Sequence, residues 1–379
     1  MDFAFSAEQQ ELRAAARDFL ADHSSSEAVR HAMASELGFD TEVWKRIGHE
    51  LGWTSVHIPE AYGGSGLGYV ELVALLEVMG EALLCAPFFS SVCLAANAIL
   101  AAASEAQKRE WLPAIAGGRT RAALAFDEST RHGEAASCRA TGRREGAGFV
   151  LAGRKRFVLD GHSAELLVVT ARRPGSAGDD GVSLFAVPAS ARGVERRALA
   201  TMDPTRRLAE IELRDVRVPA SALLGEEGSG APALAHALDL AAVALAAEQV
   251  GGAQRCLAMA VEHAKQRVQF GRPIGSFQAI KHTCADMMVA VESARSAAYY
   301  AGCVAAEGGD DLARVASLAK AWCSEAYFRC AADALQVHGG VGFTWEYDVH
   351  LHLKRARGGE SLLGSPAWHR ERIAASLGL

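Results

Sequence analysis

The sequence predicts an α+β chain in which a small β-barrel or sandwich domain sits between an N-terminal helical domain and a C-terminal four-helix bundle. Three observations carry that expectation. Apolar residues recur at a helical period up to residue 119, at a period of two between 120 and 224, and at a helical period again from 225 to 379. Helices, then a run of strands, then helices place a β domain between helical layers. The last third also contains long alanine-rich segments, whose small faces let helices approach closely in an antiparallel bundle. Three domains follow: residues 1–119, 120–224 and 225–379.

Taken in order, Ser6 with Glu8 and Gln9 reads as a capped helix start, with Leu12, Ala16, Phe19 and Leu20 on one face. Trp44, Ile47, Leu51 and Trp53 continue a helical pattern that extends to about residue 102. The loop at 58–68 carries Gly63, Gly64, Gly66 and Gly68, but their spacing is not that of a dinucleotide fingerprint. A short helix at 107–115 closes at Gly117 and Gly118. Strands are expected at 122–126, 149–151, 157–159, 166–171, 183–188 and 211–216, with a flexible hairpin tip at 174–181. Beyond Gly225, helices are expected at 231–269, 276–302, 312–338 and 366–377.

Composition narrows the function. A chain of 379 residues has room for two or three domains, and a net charge of −6 offers no bulk attraction to nucleic acid or to an anionic membrane. The eight cysteines are scattered without a Cys-x-x-Cys pair, as reduced core residues of a cytoplasmic protein would be. The first residues lack a basic region, so no signal peptide is expected. The apolar run at 240–247 is too short to span a bilayer, so no membrane insertion is expected. His350 and His352 stand two apart on a helical pattern and face opposite sides, so no metal site is expected. Lys354, Arg355 and Arg357 read as a solvated basic face.

Two windows have more chemistry than connectors need. In the first, Gly271, Pro273 and Gly275 interrupt the helix. Arg267 and Arg272 supply fixed cations, Phe270 and Phe277 flat apolar surface, and Gln278 opens the next helix. A planar guanidinium suits a diphosphate and an exposed aromatic suits a flat ring system. The second window, Gln336-Val-His-Gly-Gly-Val-Gly-Phe343, follows a helix, and its glycines let backbone approach a ligand closely. Together they resemble the flavin-binding turn and the Gln-x-x-Gly-Gly segment of the acyl-CoA dehydrogenase family. The turn at Pro59, Glu60, Gly63, Gly64 and Gly66 is similar to another of its motifs. The resemblance implies FAD, with Arg267, Phe270 and Gln278 at its diphosphate and adenine half. Gln336, Gly339 and Gly340 would reach across a dimer interface. It further implies an acyl-CoA substrate, from fatty acid or sterol side-chain metabolism. In such a reaction a carboxylate removes the α proton while flavin N5 accepts a hydride from the β carbon. It also implies an electron-transferring flavoprotein as acceptor, and a homodimer, homotetramer or heterotetramer with a catalytic paralogue.

The chain departs from that pattern where the chemistry would sit. The family's catalytic Glu falls at Leu363, in Leu363-Gly364-Ser365, and the alternative base position on the long helix falls at Ala241. Neither side chain takes a proton. Asp239 lies two positions away on another face, and Glu360 is the nearest local carboxylate, beside Arg357. The family's flavin-contacting loop is replaced by 126–133. Its shielding strand reads Phe157-Val-Leu-Asp-Gly161, where Leu159 lacks a hydroxyl for the flavin. The catalytic base is therefore unassigned, and three readings stay open: a base-lacking subunit of a mixed oligomer, an autonomous dehydrogenase with a relocated base, or a flavin oxidase or hydroxylase on the same fold.

Overall fold

Side-chain caps and glycines set many of the element ends. In this computed structural model, which describes residues 5–128 and 134–379, the helices in chain order are α1 (Ala7–His23), α2 (Ser26–Ala34), α3 (Thr41–Lys45), α4 (Tyr69–Glu81), α5 (Asn97–Ala102), α6 (Glu105–Ala116), α7 (Gly230–Gln266), α8 (Gln278–Glu307), α9 (Leu312–His338), α10 (Val349–Ser361) and α11 (Pro366–Ser376). The strands are β1 (Ala122–Ala125), β2 (Thr141–Glu145), β3 (Gly148–Leu159), β4 (Leu166–Arg172), β5 (Val182–Pro188), β6 (Val194–Leu199), β7 (Leu208–Pro219), β8 (Leu223–Leu224), β9 (Val268–Gln269) and β10 (Arg272–Pro273). Ser6 and Ser104 form full capping boxes with Gln9 and Gln107, which satisfies amide groups that a helix start leaves open. Gly308, at φ +69°, ends α8 in the left-handed conformation that glycine adopts without strain.

The chain forms two compact units. The first gathers the segment ending at His31, Tyr69–Leu84 and Ala242–Leu379. In it α9 packs against α8, α10 and α11, while α4 packs against α1 and α8. Where α4 meets α7 there is no room for side chains: a Cβ on Gly80 would lie 2.0 Å from the Glu248 carbonyl oxygen, and one on Gly251 1.8 Å from that of Glu77. The buried Glu77 carboxylate accepts from Arg13 at 2.8 Å and Arg295 at 3.0 Å. A second buried pair joins Arg355 to Glu248 at 2.7 Å. Such pairs fix geometry more than they add stability, because desolvation offsets most of the attraction. Helix α7 is apolar over a longer span than 240–247. By length and composition alone it could cross a membrane, yet 67% of its most apolar window is buried within the fold.

The second unit comprises Ala32–Gly68 and Cys85–Ala241 and holds an eight-stranded sheet. Its order is β6-β7-β3-β2-β4-β5-β8, with β1 pairing in parallel with β4 off that path. Alternate residues of five strands, among them Ala123, Leu151, Val169, Phe185 and Ile211, meet in one apolar cluster. The observed strands include several that the sequence does not predict, among them β2, β6 and the short β8, β9 and β10. β2 and β6 have polar sequences without alternation, and their exposed side chains pair instead, Arg144 with Glu227 and Arg197 with Glu210. β3 runs unbroken through what reads as two strands, with irregularities between Leu151 and Gly153 and between Lys155 and Val158. Gly153 has φ +142°, and a Cβ there would lie 2.7 Å from Ala140, so the bend requires glycine.

The helical expectation is also refined. The first hundred residues are not helical throughout: left-handed Gly52 and Gly63 separate short turns between α3 and α4. The long helix expected to reach residue 269 stops at Gln266, because the next residues form a small hairpin.

Candidate functional site

The hairpin that stops α7 is the first window. β9 and β10 pair antiparallel, Gln269 with Arg272 and Val268 with Pro273. Between them Phe270 (φ +54°) and Gly271 (φ +75°) make a two-residue turn with both φ angles positive. Glycine suits its place, but a phenylalanine in the left-handed region is held at a cost in strain, and Phe270 is 91% exposed. Phe277 meets Phe270 edge-on at 6.1 Å, and the Arg272 guanidinium lies over the Phe277 ring at 4.2 Å. Backbone bonds from Arg267 N to the His263 oxygen (2.9 Å) and from Ile274 N to the Arg267 oxygen (2.8 Å) anchor the hairpin base. Among the described residues the exposed Arg267 guanidinium has no ion-pair partner.

The second window begins where α9 ends. Gly339 adopts φ +62°, ψ −143°, a region reserved for glycine, and leads into a 3₁₀ turn at Gly339–Phe343. A Cβ on Gly339 or Gly340 would meet nothing within 4 Å, so their backbone faces open space. Gln336 and Gln278 are exposed, and Phe343 is 73% exposed.

The structure joins these windows. His263, one turn before Arg267, stacks on His338, one residue before Gly339, with ring centroids 4.2 Å apart. Tyr347 meets both rings edge-on, at 6.3 Å and 5.6 Å. The His338 Nδ1 is fixed by the Ala334 carbonyl oxygen at 2.7 Å. Burial lowers the pKa of His338, and burial with the neighbouring His338 and Arg267 lowers that of His263, so both rings favour the neutral form. Arg267, Phe270, Gln278, Gln336, Gly339 and Gly340 all present themselves to solvent, as ligand-binding groups on a rigid scaffold do.

The candidate proton acceptors look different. Leu363 takes φ +60° in the turn between α10 and α11 and is half-buried. Glu360 forms a close ion pair with Arg357 one helical turn away. Ala241 and Asp239 are buried on α7. In the second unit Phe157 stands at φ +55°, 41% exposed, with Arg156 over its ring, and Leu159 is buried. Of the loop at 126–133, residues 129–133 lie outside the described residues. Glu128 at its start turns inward: it accepts from the Arg139 and Ala140 amides and pairs closely with Lys155, which is fully buried and also donates to Thr170 Oγ1 at 2.8 Å. Nothing in the run Arg154-Lys155-Arg156 distinguishes the buried lysine from its neighbours in sequence. The buried Lys320 of α9, described below, is equally invisible there.

Comparison with known proteins agrees with this architecture along the whole chain. Family models of acyl-CoA dehydrogenase match its N-terminal domain over residues 6–119, its middle domain over 123–216 and its C-terminal domain over 228–378. The acyl-CoA dehydrogenase IpdE2 of Mycobacterium tuberculosis is 36% identical over 360 residues, which cover 95% of this chain and 94% of the relative. Butyryl-CoA dehydrogenase from Megasphaera elsdenii superposes with a TM-score of 0.92 at 28% identity and complete coverage of both chains. A chain of the ChsE4-ChsE5 complex from Mycobacterium tuberculosis superposes with a TM-score of 0.90 at 30% identity, covering 100% of this chain and 99% of the other. Helical N- and C-terminal domains around a central sheet domain are the fold of these oxidoreductases, and the chain belongs to the acyl-CoA dehydrogenase family.

Proposed function

We propose that the chain is an FAD-binding subunit for α,β-desaturation of an acyl-CoA thioester, and that it lacks its own base and works in a mixed oligomer with a catalytic paralogue. The observation that carries the flavin is the joined pair of windows: a spare guanidinium on an anchored hairpin, a strained exposed aromatic, and an open glycine backbone. Their donors fit a diphosphate, and their apolar surface fits a flat ring. Arg267, Phe270 and Gln278 would hold the diphosphate and adenine half of FAD. Gln336, Gly339 and Gly340 would meet a flavin across a dimer interface. The bound flavin supplies the two-electron oxidation, with an electron-transferring flavoprotein as the onward acceptor.

The observation that favours a base-lacking subunit is the state of the proton acceptors. Leu363 and Ala241 hold no proton, and Glu360 is engaged by Arg357. A general base must lie within reach of the α proton and be free to take it. The ChsE4-ChsE5 complex among the structural relatives is consistent with a mixed oligomer on this fold.

Anaerobic addition of acyl-CoAs to the purified, FAD-loaded protein tests the reading. The expected result is a yellow protein whose visible band persists alone and bleaches once a base-bearing paralogue is added. Bleaching by this chain alone would establish an autonomous enzyme instead. A protein that takes up no FAD would remove the flavin assignment altogether. Within the site, Arg267→Ala should weaken FAD retention by about tenfold or more, the worth of one charge-assisted hydrogen bond. Flavin content after gel filtration reads this, and unchanged content would show that Arg267 is not a diphosphate partner.

A further inference from the structure

Helix α10 stops at Ser361, and α11 starts with Ser365 as its cap, the Trp368 amide donating to Ser365 Oγ at 3.2 Å. Only three residues join them, and two are left-handed: Leu363 at φ +60° and Gly364 at φ +107°. The last carbonyls of a helix need partners, and Gly364 is buried from water. The partners come from two other helices. Lys320, at 0% exposure on α9, donates to Gly364 O at 3.1 Å, Glu360 O at 3.4 Å and Ser324 Oγ at 2.8 Å. That makes three donors and three acceptors, with none to spare. Buried His369 of α11 places its Nε2 3.0 Å from Leu363 O. Ser324 Oγ passes the link on to Gln249 Oε1 of α7 at 3.1 Å.

We infer that Lys320 is a positioning residue: with His369 it clamps the carbonyls of the α10–α11 turn and so fixes the direction in which the side chain at position 363 is presented to the acyl chain. A methionine would fill the same space without the desolvation that pulls the lysine's pKa down to about 7, so packing alone does not explain a cation here. A leucine in the left-handed region relaxes unless its surroundings over-determine it, and three clamped carbonyls do so. The clamp also explains how the turn survives the exchange of a carboxylate for leucine, because the bonds it makes to the turn all go to backbone carbonyls. The consequence for substrate binding rests on the functional reading above, with Leu363 at the place where the family's catalytic carboxylate would meet the acyl α carbon.

The test has two arms on the full-length, FAD-loaded protein. Hydrogen exchange reads the clamp directly: in Lys320→Met, amides at 361–369 should exchange about tenfold faster while α8 keeps its protection. Should that variant fail to fold, Ser324→Ala removes one of the three acceptors and should accelerate the same amides. Titration with an acyl-CoA, followed by flavin absorbance, reads the consequence. Lys320→Met and Leu363→Ala should each weaken binding about tenfold, and the double variant should be no weaker than either, because one residue acts through the other. Unchanged exchange at 361–369, or losses that add in the double variant, would overturn the inference. Should the parent bind no acyl-CoA, the functional reading fails, and the exchange arm decides the clamp by itself.

Discussion

Gly251→Ala should lower stability by about 3 kcal/mol or more, at the upper end of the cost of overpacking a core. Two effects of opposite sign compete at this position. Alanine is the better helix former and would contribute up to about 1 kcal/mol in an exposed helix. Against that, the added methyl would sit 1.8 Å from the Glu77 carbonyl oxygen, and a backbone atom has no rotamer through which to yield. The helices α4 and α7 would have to separate, and the separation would pull at the neighbouring ion pairs, Glu77 with Arg13 and Arg295 and Glu248 with Arg355. Burial wins over propensity here. Gly309→Ala is the control, since its Cβ would meet nothing within 4 Å and its φ is ordinary; it should change stability by less than about 0.5 kcal/mol. Urea midpoints of the two variants beside the parent decide the matter. Equal midpoints for Gly251→Ala and Gly309→Ala would mean that the crossing is looser than described.

That crossing also marks how far the sequence could be read. In the last third α7, α8, α9 and α11 were legible because alanine-rich periodicity and the breaks between the helices point the same way, whereas α10 (Val349–Ser361) was not among the expected helices. The two windows stood out because arginines, aromatics and glycines broke that consistency at helix ends. Their residues lie on turns or, like Gln278 and Gln336, at helix ends, and need no tertiary context to be noticed. Their union did not show, since His263 and His338 look like ordinary helical residues 75 positions apart. Strands β2 and β6 were hidden for a different reason: their side chains are mostly charged and solvated, so no alternation records which face is inward. Lys155 and Lys320 show the same limit in reverse. A lysine in a polar run, or on one face of a helix, reads as surface, and only the fold supplies Glu128 for one and three oxygen acceptors for the other. Burial of charge is a tertiary fact.

Acidification should destabilise the protein between pH 6.5 and 5, before most carboxylates titrate. His352 of α10 is 2% exposed, accepts or donates one hydrogen bond with the Tyr327 hydroxyl at 2.9 Å, and faces Arg255 and Arg355. Burial, reinforced by those two cations, pushes its pKa from 6.5 down to about 3. The folded imidazole therefore stays neutral at a pH where the unfolded one is already charged. Below 6.5 the unfolded chain binds a proton that the folded chain refuses, so stability is complete above 6.5 and falls as pH drops toward the folded value. At pH 5 the interval of about 1.5 units is worth about 2 kcal/mol from His352 alone. His57, beside Asn97 and lowered by burial to about 4, adds in the same direction and by a similar amount at pH 5, since both folded values lie below that pH. His263, His338, His350 and His162 are lowered too, chiefly by burial, and share the sign. The surface carboxylates Glu8, Glu105, Glu145, Glu212 and Glu346 are held below their ordinary 4.5 by hydrogen bonds. They release their contribution only at lower pH, which leaves the interval from 6.5 to 5 to the imidazoles. Urea melts at pH 7.5 and pH 5.0 measure the loss, and His352→Gln should recover about 2 kcal/mol of the difference between the two because it removes the titrating group. A protein equally stable at both pH values would show that water reaches the imidazole and that α10 does not seal it.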